Sequence, residues 1–249
     1  ATITVEEHGI NLQATLFDPS ATKLVSLGNS SGAHGPIYLY VLAATSGPFR
    51  LDVLSTEDWA NAGSFDAGFS VSNGPPEEAQ TRLKAQTYFV NARDLVAAAQ
   101  YEKATEEYRN SLSLWQKLND RHWEALTRFA LASAYASLGK YKDVGESLNE
   151  ALKVPNPQFE TNDWRLKASI LNDLGRNYTY LGKSEKAGDL LNLALDLYAA
   201  HEDRRGQASA LSNLGFMHLS AGESYTALSC FEKALPFRQA ENDHEGAIK

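Results

Sequence analysis

The chain has 249 residues, 43% of them hydrophobic and 22% charged, with a formal net charge of −8 and a single cysteine. Such a chain is long enough to bury a sizeable core in one or two domains, and one cysteine excludes an internal disulfide framework. The acidity argues against nucleic acid, whose affinity rests on basic side chains meeting phosphates, and no apolar run approaches the ~20 residues of a membrane-spanning helix.

Residues 1–72 read as all-β. The opening ATITVEE is already strand-like, with no signal-peptide pattern, so the chain is expected to begin inside a longer one. Ile10, Leu12, Ala14 and Leu16 alternate with polar neighbours, as do Ile37, Leu39 and Val41, then Phe49, Leu51 and Val53. Turn chemistry separates these runs at Asp18-Pro19-Ser20, at the segment from Gly28 to Gly32, at Gly35-Pro36 and at Ser46-Gly47-Pro48. About six short strands are predicted, forming a small sandwich in residues 1–74. Its core is thin, so it is expected to lean on the first helices. Its charge is one-sided, with Lys23 and Arg50 against seven acids through residue 76. The stretches GINLQATLFDPSATKL and SGPFRLDVLS resemble the bacterial pre-peptidase C-terminal type of β-sandwich. The aspartate which that family carries near Asn11 is replaced here, so the likeness implies no calcium site.

Ser72-Asn73-Gly74-Pro75-Pro76-Glu77-Glu78 marks a boundary, its prolines and acids suiting the first turn of a helix. Helices are then predicted over residues 77–98, 101–118, 121–138, 141–153, 163–181, 184–201, 204–221 and 224–241. They form repeats. Ala104, Val144, Ala187 and Ala227 recur at intervals of about 40 residues; five before each stand Ala99, Gly139, Gly182 and Gly222, and twelve before stand Ala92, Ala132, Gly175 and Gly215. The first of these sets sits where a helix ends with φ > 0, which glycine adopts cheaply. The second is small because a partner helix must come close. Asp120, Asp163, Asp203 and Asp243 precede first helices as N-caps. Two prolines in VPNPQFETND end one helix early and lengthen one interval. After residue 243 the chain repeats the start of a first helix, so a fifth repeat is expected to begin there. An exposed apolar end of the stack would favour self-association.

LNDLGRNYTYLGKSEKA and LSNLGFMHLSAGESYTA carry the small, aromatic and glycine positions of the tetratricopeptide repeat in order, and the long period resembles the kinesin-light-chain style. The likeness covers residues 77–249, with about four repeats plus the start of a fifth. It implies a mainly α chain, a right-handed α-α superhelix preceded by the small all-β module. The order of the two parts resembles the N-terminal region of bacterial CHAT-domain proteins, which implies as an alternative the regulatory part of a caspase-like peptidase. No His-Cys pair at plausible spacing occurs in this chain.

In such repeats the first helices line a concave groove for a protein or peptide, or for a domain of the same parent chain. The residues expected to face it are Gln86, Phe89 and Arg93; Phe129 and Ser133; Asn172, Arg176 and Tyr180; and Ser209, Asn213 and Phe216. Amides pair with a peptide backbone and rings take its apolar side chains. For Phe89, Phe129 and Phe216, ordinary packing between repeats stays equally open; Asn172, Asn213 and Arg176 favour the groove. Trp115, Trp123 and Trp164 flank turns between repeats and read as seals. The six histidines are scattered without ligand spacing, Cys230 reads as a buried thiol, and no nucleotide or cofactor fingerprint occurs. No catalytic residue, metal or cofactor is expected.

Overall fold

The computed structural model describes residues 2–8, 12–28, 37–41, 46–55, 64–70, 76–156, 159 and 163–246. Ile10, the Gly35-Pro36 turn and most of the linker before Pro76 lie outside them. The chain divides into two compact units, Ala1–Ala134 and Tyr135–Lys249.

The first unit opens with two three-stranded antiparallel sheets. In one, β1 (Thr2–His8) lies between β4 (Ile37–Tyr40) and β6 (Ser64–Ser70); in the other, β2 (Leu12–Phe17) lies between β3 (Lys23–Gly28) and β5 (Arg50–Ser55). Alternation decides which side chains go inside: Leu12, Ala14, Leu16, Ile37, Leu39 and Val41 are buried. The turn after β2 closes as its chemistry predicts, the Asp18 carboxylate accepting from the Ser20 and Thr22 amides at 2.9 and 2.8 Å. The core is thin on the side of β5 and β6. There Leu54 and Phe69 are exposed, and an apolar cleft of about 360 Å³ opens among Ile3, Leu16, Leu51 and Phe69.

Eight helices follow among the described residues: α1 (Pro76–Ala97), α2 (Tyr101–Lys117), α3 (Arg121–Ser137), α4 (Tyr141–Lys153), α5 (Trp164–Tyr180), α6 (Ser184–Ala200), α7 (Arg204–Ser220) and α8 (Ser224–Gly246). The chain is mainly helical. Each repeat register has its structural counterpart. Gly139, Gly182 and Gly222 have φ of 67°, 69° and 81°, and Ala99 is held at 55° in the same place. A Cβ on Gly175 would lie 2.6 Å from Leu191 Cγ and 3.1 Å from the Ala187 carbonyl; on Gly215 it would lie 2.5 Å from the Phe231 ring. These glycines let α5 approach α6 and α7 approach α8. Asp203 caps α7 by accepting from the Gly206 amide at 2.9 Å, and Asp120 accepts from the Trp123 amide at 3.2 Å at the start of α3. Trp115 and Trp123 stack across the α2–α3 turn with centroids 4.9 Å apart.

Three expectations are corrected. Asp163 makes no side-chain cap; it is buried, and its carboxylate accepts from Asn156 Nδ2 at 2.8 Å, holding the proline loop against the start of α5. Asp243 starts no new helix: α8 runs through it to Gly246, because no glycine or proline interrupts residues 237–245 and the backbone ladder simply continues. Cys230 is half-buried rather than buried.

One sheet leans on the helices through its edge strand β4. The Tyr40 amide donates to Gln86 Oε1 at 2.8 Å, and Gln86 Nε2 donates back to the Tyr40 carbonyl at 3.1 Å. Arg82 pairs with the Asp120 carboxylate at 2.6 Å, and the Tyr40 hydroxyl donates to that carboxylate at 3.3 Å. The Tyr40 ring packs beside Trp115 and Trp123. Residues from β4, α1, α2 and α3 thus share one aromatic core.

Candidate functional site

In the first unit, most of the residues expected to face a groove are used for packing. Gln86 is 1% exposed, its amide consumed by the main chain of Tyr40. Phe89 is buried edge-on against Tyr108 and Trp123, with centroids at 5.5 and 5.1 Å. Phe129 is buried as well. Gln86 is thus corrected, because α1 faces the edge strand β4, whose unpaired backbone groups need partners, while Phe89 and Phe129 take the packing alternative left open for them. Arg93 is half-buried beside Tyr108, whose hydroxyl is pushed up to about 12 by burial while Arg93 pulls the other way. Ser133 is exposed.

In the second unit the expected residues come together on two first helices. Asn172, Arg176 and Tyr180 project from α5, and Ser209, Asn213 and Phe216 from α7, at helical spacings of three or four residues. Asn213 Nδ2 donates to Asn172 Oδ1 at 3.0 Å, and Asn172 Nδ2 donates to Ser209 Oγ at 3.3 Å. Asn172 is 5% exposed, so it ties the helices together and offers nothing to a ligand. Asn213 and Ser209 stay half-exposed. Tyr180 and Phe216 are 64% and 59% exposed. Tyr180 stacks on Tyr141 at 5.0 Å, and Phe216 meets Phe231 edge-on at 5.3 Å, so both rings are steadied from one side and open on the other.

One residue of this face escapes a reading of motifs. Asp173 lies 40 residues before Asn213, in the same register, and is half-buried. Burial pushes its carboxyl above the ordinary value of 3.8, and Arg176, 3.3 Å away, offsets this only in part. The periodicity already held the signal, since the position matches that of Asn213. The face therefore combines a cation, an under-compensated carboxylate, an amide and two open rings. Among the described residues no group of three or more histidine, cysteine, aspartate or glutamate side chains is arranged to hold a metal, and no helix is long and apolar enough to cross a membrane.

A tetratricopeptide repeat profile matches residues 83–155 and 166–240, more than half of the chain. The sequence is 31% identical over 109 residues to Regulatory protein RapG of Bacillus subtilis (strain 168), covering 42% of this chain. The match spans only 30% of that relative's length. Among solved structures, the apo form of RapI superposes with a TM-score of 0.59 at 18% identity, over 67% of this chain and 63% of RapI. A Podosopora anserina protein described as a putative kinesin light chain with nearly identical TPR-like repeats superposes with a TM-score of 0.53 at 16% identity, over 70% of this chain and 81% of its own. At these identities the superpositions speak for the fold alone.

Proposed function

Because this chain belongs to the tetratricopeptide repeat family, we propose that it is a protein-interaction module whose α5–α7 face docks an extended peptide segment of a partner protein. The observation that carries this reading is the pair of open aromatic rings, Tyr180 and Phe216, set beside Arg176, Asp173 and Asn213. Rings of this kind bury large apolar area at small entropic cost and dominate interface energetics. The amide of Asn213 suits a peptide backbone. A basic side chain on the peptide would neutralise Asp173, and an acidic one would meet Arg176. Glycine and small residues at the helix–helix contacts keep the face rigid, so binding orders few side chains of the receptor.

The test uses the full chain as bait for partner fragments recovered by cross-linking and then made as peptides. Arg176→Glu combined with Asn213→Ala is expected to weaken such a peptide at least tenfold, with helicity unchanged by circular dichroism. Binding retained at the original affinity rejects the α5–α7 face as the docking surface.

A further inference from the structure

A cleft apart from the α5–α7 face lies in the second unit. It has a volume of about 480 Å³ and opens between α6 and α8 with α7 between them. Its α7 wall is formed by Leu214, Met217 and His218. At 100° per residue these lie about a third of a turn around α7 from Ser209, Asn213 and Phe216. The two faces are therefore distinct.

Gly188, in the second turn of α6, lines this cleft and lacks a packing reason. At Gly145, Gly175, Gly206 and Gly215 a Cβ would crowd a neighbour. At Gly188 it would meet only Met217 Cε, at 3.5 Å, an ordinary contact. A glycine inside a helix is destabilising relative to alanine. The missing side chain keeps the cleft deep, over an apolar wall of Leu195, Leu214, Met217 and Cys230.

Charge gives the cleft a direction. Glu185 and Asp189 stand four apart on α6, three residues before Gly188 and one after it, and both are exposed. Like charges at this spacing repel, and among the described residues neither has an ion-pair partner. Glu223 adds a third carboxylate, bonded to His218 at 2.7 Å, and Lys233 is the one lysine or arginine in the lining. We infer that this cleft docks a basic, apolar peptide segment of a partner protein, with an aliphatic side chain seated over Gly188 against Met217 and an adjacent lysine or arginine held by Glu185 and Asp189.

The chain carries one methionine, Met217, so its ¹³C-labelled methyl gives a single resonance inside the cleft. The full chain is titrated with an acetylated pentapeptide amide of three leucines, one arginine and one lysine, and with the same peptide bearing glutamates in place of the two bases. The basic peptide is expected to shift the resonance saturably and the acidic one to leave it unmoved. Glu185→Lys combined with Asp189→Lys should weaken the basic peptide at least tenfold, and Gly188→Leu should abolish the shift while melting no lower than the parent. Should the leucine variant fold poorly, Gly188→Ala, which the space accommodates, is expected to weaken binding instead. Arg176→Glu with Asn213→Ala should leave the titration unchanged, which separates this cleft from the α5–α7 face. Equal shifts by both peptides, no saturable shift, or full binding by a well-folded Gly188→Leu would overturn the assignment.

Discussion

The side chain of Gln86 pairs with the main chain of Tyr40 in both directions, accepting from its amide at 2.8 Å and donating to its carbonyl at 3.1 Å. A side-chain amide here does what a neighbouring strand would do, capping the outer edge of β4 with α1. Gln86→Leu keeps the volume and removes both bonds. Leaving buried polar groups unpaired costs about 1–3 kcal/mol each, so losing both partners should cost the first unit about 2–6 kcal/mol. Urea unfolding followed by tryptophan fluorescence will report this, since Trp115 and Trp123 belong to the same core.

Ala99 occupies the helix-ending position where three other repeats have glycine, at φ 55°. The left-handed region costs a non-glycine residue about 1 kcal/mol. Ala99→Gly should therefore stabilise the first unit by about 0.5–1 kcal/mol, a gain reduced by the extra freedom of glycine in the unfolded chain. Gly182→Ala should lose a similar amount in the second unit, with no clash to blame because a Cβ there meets nothing within 4 Å. Thermal melts of the two variants should move in opposite directions.

Gly175→Ala is a different experiment on the same residue type. The new Cβ would press on Leu191 and on the Ala187 carbonyl, and backbone cannot step aside as a side-chain tip can. Overpacking of this kind costs about 1–3 kcal/mol. Its effect on the melting temperature should exceed that of Gly182→Ala.

Two carboxylates give the units opposite responses to pH. For Glu124, burial acts to raise the carboxyl, but hydrogen bonds from Gln116, Arg128 and Arg121 outweigh it and hold the group below its ordinary 4.5. Its contribution is present above about 4.5 and is lost as pH falls through the lower folded value. Glu124→Gln should flatten the acid limb of the first unit's stability profile. Asp173 has the reverse sign. Burial raises it, so its contribution is full below 3.8 and declines as pH rises through the higher folded value. Asp173→Asn should then stabilise the second unit at neutral pH, and on the proposed reading it should also weaken a basic peptide. Melts from pH 3 to pH 7 will separate the two behaviours.

How much was legible in the sequence differs from residue to residue. The helix ends at Gly139, Gly182 and Gly222 were legible because φ > 0 is a local demand that one residue type answers best. The close approaches at Gly175 and Gly215 were legible because a repeat writes the same contact several times. The end of α8 was not, since the resemblance to an earlier copy at Asp243 was weaker than the uninterrupted helical run around it.

The sequence by itself determined the mainly helical repeat architecture, since local backbone preferences and a recurring apolar pattern are carried by residues close together in the chain. The tertiary structure alone decided which polar residues remain available. Gln86 and Asn172 share the side-chain type that marks a groove, yet one caps a strand 46 residues away and the other bridges α5 to α7. Exposure depends on what non-local packing brings opposite a side chain, and that is not written in its neighbours.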